Sequence, residues 1–199
     1  GTSSGAINAA KVAAEADDFY KAVQGLEDIW ANLTSDQIHQ VGYFDIFKSI
    51  VKILMSFFHS GIAKGQSLSV FNNQPLYNLL KRSIDIARLD KMINEEHIHA
   101  LSISALGYTS GQNISFFQGH ASLQYWRRSR RIGSKTVLDY KHLMASSALP
   151  AIFPSVLINR EYFGDGALRQ SAPLSAALHL GADKLLVIGV SDTTDALEE

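Results

Sequence analysis

Gly1-Thr2-Ser3-Ser4-Gly5 places a serine between two glycines at Gly-x-Ser-x-Gly spacing. That is the layout of a nucleophile elbow, a sharp strand-to-helix turn that leaves the serine oxygen exposed for attack on a carbonyl. Strand and helix cross at close range in such a turn, so small residues suit it, and Gly1, Ser4, Gly5 and Ala6 meet the requirement. The alanine-rich sequence that follows predicts a helix over residues 6–20. Its first N–H groups then face Ser3, with the Ser4 N–H placed to bind a tetrahedral oxyanion. No strand precedes Gly1 to feed the elbow, so the chain is expected to start in the middle of a longer protein.

A serine hydroxyl needs a base to become a nucleophile, usually a histidine held by a carboxylate. Of the seven histidines, His120 precedes a basic run, His142 falls within a predicted helix and His179 lies on a helix after Pro173. None has a distinct claim, and a Ser-His-Asp arrangement using His179 stays open. One carboxylate does stand out. Asp165 sits between Gly164 and Gly166 at the end of a predicted strand, where open α/β sheets place their sites. Just upstream, Ala145-Ser146-Ser147-Ala148-Leu149-Pro150-Ala151-Ile152-Phe153-Pro154 is rich in small residues and brackets a phenylalanine with two prolines. This fixes chain geometry ahead of the strand that carries Asp165.

The elements that must position these groups alternate between helix and strand. Apolar residues at Phe44, Phe47, Val51, Leu54 and Phe58 recur at steps of three and four, which predicts a helix after an N-cap at Ser35. A second helix is expected within residues 71–89, with Pro75 in its first turn. Residues 99–106 and 114–117 read as a strand pair joined by the turn at 109–112. Helix is expected over 137–147 until Pro150, strand over 156–163, and helix over 173–180 closed by Gly181. The continuous apolar run at 184–190 predicts a strand buried on both faces. Such alternation argues for an α/β layered sheet, and no linker or repeat divides it, so one domain spans 1–199.

Composition narrows the chemistry. At 46% hydrophobic and 19% charged residues the chain is built to fold. It has no cysteine, which excludes disulfides, thiolate zinc sites and a cysteine nucleophile. No His/Asp/Glu cluster has metal-ligand spacing, so neither metal nor cofactor is expected. The net charge of −1 and the lack of a nucleic-acid motif set nucleic acid aside. Tyr125-Trp126-Arg127-Arg128-Ser129-Arg130-Arg131 is the one dense charge run, either a solvated face or a holder of anionic headgroups. The segment 44–58 is likewise either a core helix or a face that meets lipid. A cytoplasmic location, or one at the membrane periphery, is expected.

Taken together, the elbow Gly1-Thr2-Ser3-Ser4-Gly5-Ala6-Ile7-Asn8, the segment from Ala145 to Pro154 and the motif Asp165-Gly166-Ala167 resemble the patatin-like lipid acyl hydrolases. All three motifs occur in the family's order and cover most of the chain. The resemblance implies a three-layer α/β/α sandwich with a mostly parallel central sheet, related to the α/β-hydrolases. It also implies a Ser-Asp dyad without a histidine, in which Ser3 attacks an acyl ester and Asp165 takes its proton. Gly1, Ser4 and Gly5 then belong to the elbow and oxyanion site, while Pro150, Pro154, Gly166 and Ala167 support the motifs. Family members carry a glycine-rich oxyanion loop upstream of the elbow, so this chain is expected to lack that loop and the strand before it. A catalytically silent lipid-binding module of the same fold is the alternative to an active lipid or acyl-ester hydrolase.

Overall fold

The computed structural model describes residues 1–32, 73–150, 152–170 and 173–189. The expected Ser35 cap and the amphipathic segment 44–58 lie outside the described residues. Among the described residues six strands form one sheet: β1 (Ala100–Gly107), β2 (Asn113–Gly119), β3 (Trp126–Arg128), β4 (Arg131–Lys135), β5 (Val156–Ile158) and β6 (Glu161–Asp165). Their spatial order is β3-β4-β2-β1-β6-β5. Six α-helices are described around them: α1 (Ser4–Ala14), α2 (Phe19–Ala31), α3 (Gln74–Ser83), α4 (Leu89–Asn94), α5 (Tyr140–Ser146) and α6 (Leu174–His179).

The sheet is mixed, and the expected mostly parallel arrangement is not what these residues form. Only β2 and β4 run parallel, while the β1–β2, β1–β6, β3–β4 and β5–β6 pairs are antiparallel. Loop length explains the β1–β2, β3–β4 and β5–β6 pairs, because short connections permit only antiparallel neighbours, whereas β1 and β6 are distant in sequence. Ser129-Arg130 and Asn159-Arg160 each close a two-residue hairpin, with Arg130, Asn159 and Arg160 at positive φ. The expected strand over 156–163 is therefore a hairpin. Between β1 and β2, Gly111 at φ 63 donates its N–H to the Gly107 carbonyl and turns the chain where expected.

Strand alternation divides the sheet into two faces. Leu101, Ile103, Ala105, Phe116 and Phe163 face a core built with Ala6, Ile7 and Ala10 of α1, Leu76 and Leu80 of α3, and Leu143 of α5. On the opposite face Phe117 stacks on Trp126, which meets His179 of α6 edge-on at 5.0 Å. Helices thus cover both faces of the sheet.

Helix ends are set by caps that pattern reading missed. The helix expected over 6–20 stops at Ala14, and α2 begins afresh where Asp18 accepts the Lys21 N–H. That expected within 71–89 spans Gln74–Ser83, with Pro75 in its first turn, and ends because Ile84 is extended. The run at 184–190 forms no strand across its described residues, and Leu186 and Ile188 are 89% and 87% exposed. Apolar sequence alone does not bury a segment that has no ladder partner.

Expected over 137–147, α5 starts only at Tyr140, because Asp139 and His142 form a capping box. His142 Nδ1 accepts the Asp139 N–H at 3.0 Å, and the ring packs on Phe116 at 4.9 Å. Burial holds this imidazole below its ordinary pKa, with the Asp139 charge opposing and Lys141 reinforcing the shift. The ring is therefore a neutral acceptor, and its approach to Asp139 Oδ1 is a contact rather than an ion pair. An unfolded chain binds this proton at about pH 6.5, whereas the folded one resists it, so stability falls as pH drops below that value. His142→Gln keeps a capping acceptor without the titration. Its melting temperature is expected to fall less steeply than wild type between pH 7 and 5, measured by thermal unfolding.

Candidate active site

Two chain segments meet one edge of β1 at consecutive residues. Thr2 bridges Ser104 in parallel, and Asp165 at the end of β6 pairs with Ala105. The other edge of β1 is filled by β2. Alternation puts the Asp165 side chain with Ala105 and Phe163 on the face that α1 covers. Ser3 and Asp165 are thereby brought to one corner of the sheet.

Ser3 has φ 51 and ψ −131, a conformation that a residue with a side chain rarely adopts. Such strain costs about 1–3 kcal/mol and persists only where neighbours over-determine it. They do so here. The Ser3 N–H donates to Ser146 Oγ at 2.9 Å, and that hydroxyl donates to the Ser104 carbonyl at 2.7 Å. Ser104 in turn donates its N–H to the Gly1 carbonyl at 3.0 Å. Ser146 is fully buried, and composition gave no hint of its role beyond its place in the segment before Pro150.

The glycines divide unequally. A Cβ on Gly1 would overlap the Gly5 carbonyl and come within 2.8 Å of Ala6 Cα, so the close crossing of strand and helix rests on Gly1. A Cβ on Gly5 would meet nothing within 4 Å among the described residues, so the expected steric demand falls on Gly1 and not on Gly5. Ser4 opens α1, and its N–H has no protein acceptor among the described residues. A Cβ on Gly166 would overlap the Ser104 carbonyl and lie 2.8 Å from Thr2 Oγ1, which locks the Asp165-Gly166-Ala167 turn against the elbow.

Asp165 is 1% exposed. Its Oδ1 accepts the Ala167 N–H at 2.8 Å, while its own N–H donates to the Ala148 carbonyl at 2.9 Å. Oδ2 is buried with no hydrogen-bond partner among the described residues, as is Thr2 Oγ1. A buried acceptor left in that state costs roughly 1–3 kcal/mol until a donor reaches it. Tyr108, on the far side of Gly164, has its phenol pKa raised by burial and then by the Asp165 charge.

An apolar cavity of about 150 Å³ opens at Ser3. Ile7, Trp30, Leu79, Ile84, Leu149 and Phe153 form much of its wall. The segment ending at Pro150 and Pro154 thus holds Asp165 through the Ala148 carbonyl and also rims this cavity. Trp30 is fixed by its Nε1–H to Asn8 Oδ1 at 2.8 Å. Ile29 and Trp30 went unnoticed in the sequence, although Phe19, Ala22, Leu26, Ile29 and Trp30 carry helical spacing.

Among the described residues no histidine lines this cavity. His179 lies on the opposite face of the sheet against Trp126, so the structure does not bring it to Ser3. No described residues form a His/Asp/Glu cluster able to hold a metal, and no described helix is long and apolar enough to cross a membrane.

The family model of the patatin-like phospholipases matches residues 1–178. The chain belongs to the patatin-like phospholipase family. No curated protein sequence and no solved structure matches it. A patatin-like phospholipase is a lipid acyl hydrolase, and an apolar cavity beside a strained serine suits an acyl substrate.

Two substitutions test the elbow. Ser146→Ala strands the Ser3 N–H and is expected to lower stability by roughly 1–3 kcal/mol, with a fall in ester hydrolysis. Gly5→Ala meets no obstacle and removes unfolded-state freedom, so it should raise stability by about 0.4–1 kcal/mol. Denaturant unfolding of both variants checks the two signs.

Proposed function

We propose that this chain hydrolyses fatty acyl esters of phospholipids or related lipids through a Ser3–Asp165 dyad and an acyl-enzyme. The observation that supports this is the unpartnered, buried Asp165 Oδ2, at the β1 corner where Ser3 is strained into the elbow. Ser3 Oγ attacks the ester carbonyl carbon as its proton passes to Asp165. Charge developing on the carbonyl oxygen is met by the Ser4 N–H and the first turn of α1. Collapse expels the alcohol, which leaves with the proton held by Asp165. Water then attacks the acyl-enzyme, Asp165 takes the water's proton and returns it to Ser3 Oγ, and the fatty acid departs.

A carboxylate is a weak base in water, with an ordinary pKa near 3.9 for Asp. A fixed orientation makes it effective, and the Ala167 N–H holds Asp165 Oδ1 in place. Trp30, Leu149 and Ile152 stand partly exposed at or beside the cavity, which fits an acyl chain entering from a lipid surface during peripheral contact.

Hydrolysis of a chromogenic acyl ester and of phospholipid vesicles tests the dyad. Ser3→Ala and Asp165→Asn are each expected to lower kcat by at least about 10²–10⁴-fold, with His179→Ala within a few-fold of wild type. Activity of Asp165→Asn within a few-fold of wild type would falsify the dyad. Retained lipid binding with no hydrolysis by the wild type would favour a non-catalytic module.

A further inference from the structure

A second cleft, of about 440 Å³, opens on the sheet face opposite Ser3. It is lined by Asn113, Arg128, Arg130, Arg131, Arg169 and His179 among others. Alternation assigns the face: Trp126, Arg128, Gly133 and Arg131 share the side on which His179 packs, while Arg127 points the other way.

The arginines are held together at a cost. Arg128 and Arg131 are direct cross-strand partners, and like charges placed so are destabilising. Between them Arg130 sits at φ 61, in the left-handed region that favours glycine or asparagine. None of the three forms an ion pair among the described residues. Arg169 is steadied from the side, with Nη1 donating to the Gly111 carbonyl at 2.8 Å, and among the described residues it too has no carboxylate partner. Asn113, 3% exposed, ties the parts together: its N–H donates to the Arg130 carbonyl at 3.0 Å and its Nδ2 to the Gly166 carbonyl at 3.1 Å. In a chain of net charge −1, four guanidinium groups on one concave wall form a local field with no ion-paired carboxylate among the described residues.

We propose that this cleft is a phosphate-ester binding site, separate from the Ser3 site and fixed to the Asp165 turn through Asn113. Guanidinium forks match phosphate oxygens in pairs, and a bound phosphate removes the Arg128–Arg131 repulsion. The ester is either a soluble molecule or the headgroup of an anionic lipid, and the two sources separate by experiment.

Calorimetric titration of the protein with glycerol 3-phosphate is paired with sedimentation on phosphatidylcholine vesicles, with and without phosphatidic acid. Saturable binding of glycerol 3-phosphate assigns a soluble ester. Retention only on vesicles containing phosphatidic acid assigns the headgroup. In either case Arg128→Gln/Arg131→Gln is expected to weaken binding by at least about tenfold, or 1.4 kcal/mol. Arg127→Gln should leave it unchanged. The double variant should also melt at the same or a higher temperature, since it removes a like-charge pair, so loss of binding is not loss of fold. Ser3→Ala should bind as wild type, which separates this site from the hydrolytic one. Binding to neither ligand, or equal weakening by Arg127→Gln and the cleft variant, overturns the proposal.

Discussion

The buried hydroxyl of Ser146 accepts the Ser3 N–H and donates to the Ser104 carbonyl, and so joins the elbow, α5 and β1 through a single oxygen. A non-glycine residue at φ 51 is unfavourable in isolation. Here the conformation is held from three sides: by Ser146, by the Thr2–Ser104 bridge, and by the Ala6 N–H, which donates to the Ser3 carbonyl at 2.9 Å. Because α5 also leads directly into Ala148, whose carbonyl anchors Asp165, one short segment sets both halves of the corner. A shift of α5 would displace Ser3 and Asp165 together. That coupling explains why a run of small buried residues, Ala145-Ser146, is required there.

The sheet supplies the rest of the positioning by alternation. On one face it presents Asp165 beside an apolar core that continues into the cavity at Ser3. On the other it presents arginines and the stack of Phe117, Trp126 and His179. The two environments stay apart because the strands between them are filled by Ile103 and Phe116 on one side and by Phe117 on the other. Asn113 and Gly166 are the direct mechanical link, a hydrogen bond from the cationic cleft to the turn after Asp165.

The motifs that carry the family were more legible in the sequence than the direction of the strands. Gly1 and Gly166 stand out because a side chain there would clash, and Ser3 and Asp165 because those glycines flank them in sequence. The α/β character was legible from alternation, as was the strand pair at 99–106 and 114–117. Strand direction was not, because it depends on which strands pair. Asp18 and Asp139 as caps were missed since their effect appears only where a helix must restart after a loop. The apolar run at 184–190 misled, because its described residues are open and hydrophobicity does not encode a ladder partner. Ser146 could not be singled out, since its role rests on two partner atoms distant in sequence, the Ser3 N–H and the Ser104 carbonyl.

The most direct test of the central claim is labelling of the folded protein with a fluorophosphonate, followed by peptide mass mapping. A nucleophilic serine held in the elbow and served by Asp165 predicts one modified site, Ser3, with labelling strongly reduced in Asp165→Asn. Modification at a different serine, or none on protein whose fold is verified by cooperative unfolding, would contradict the account.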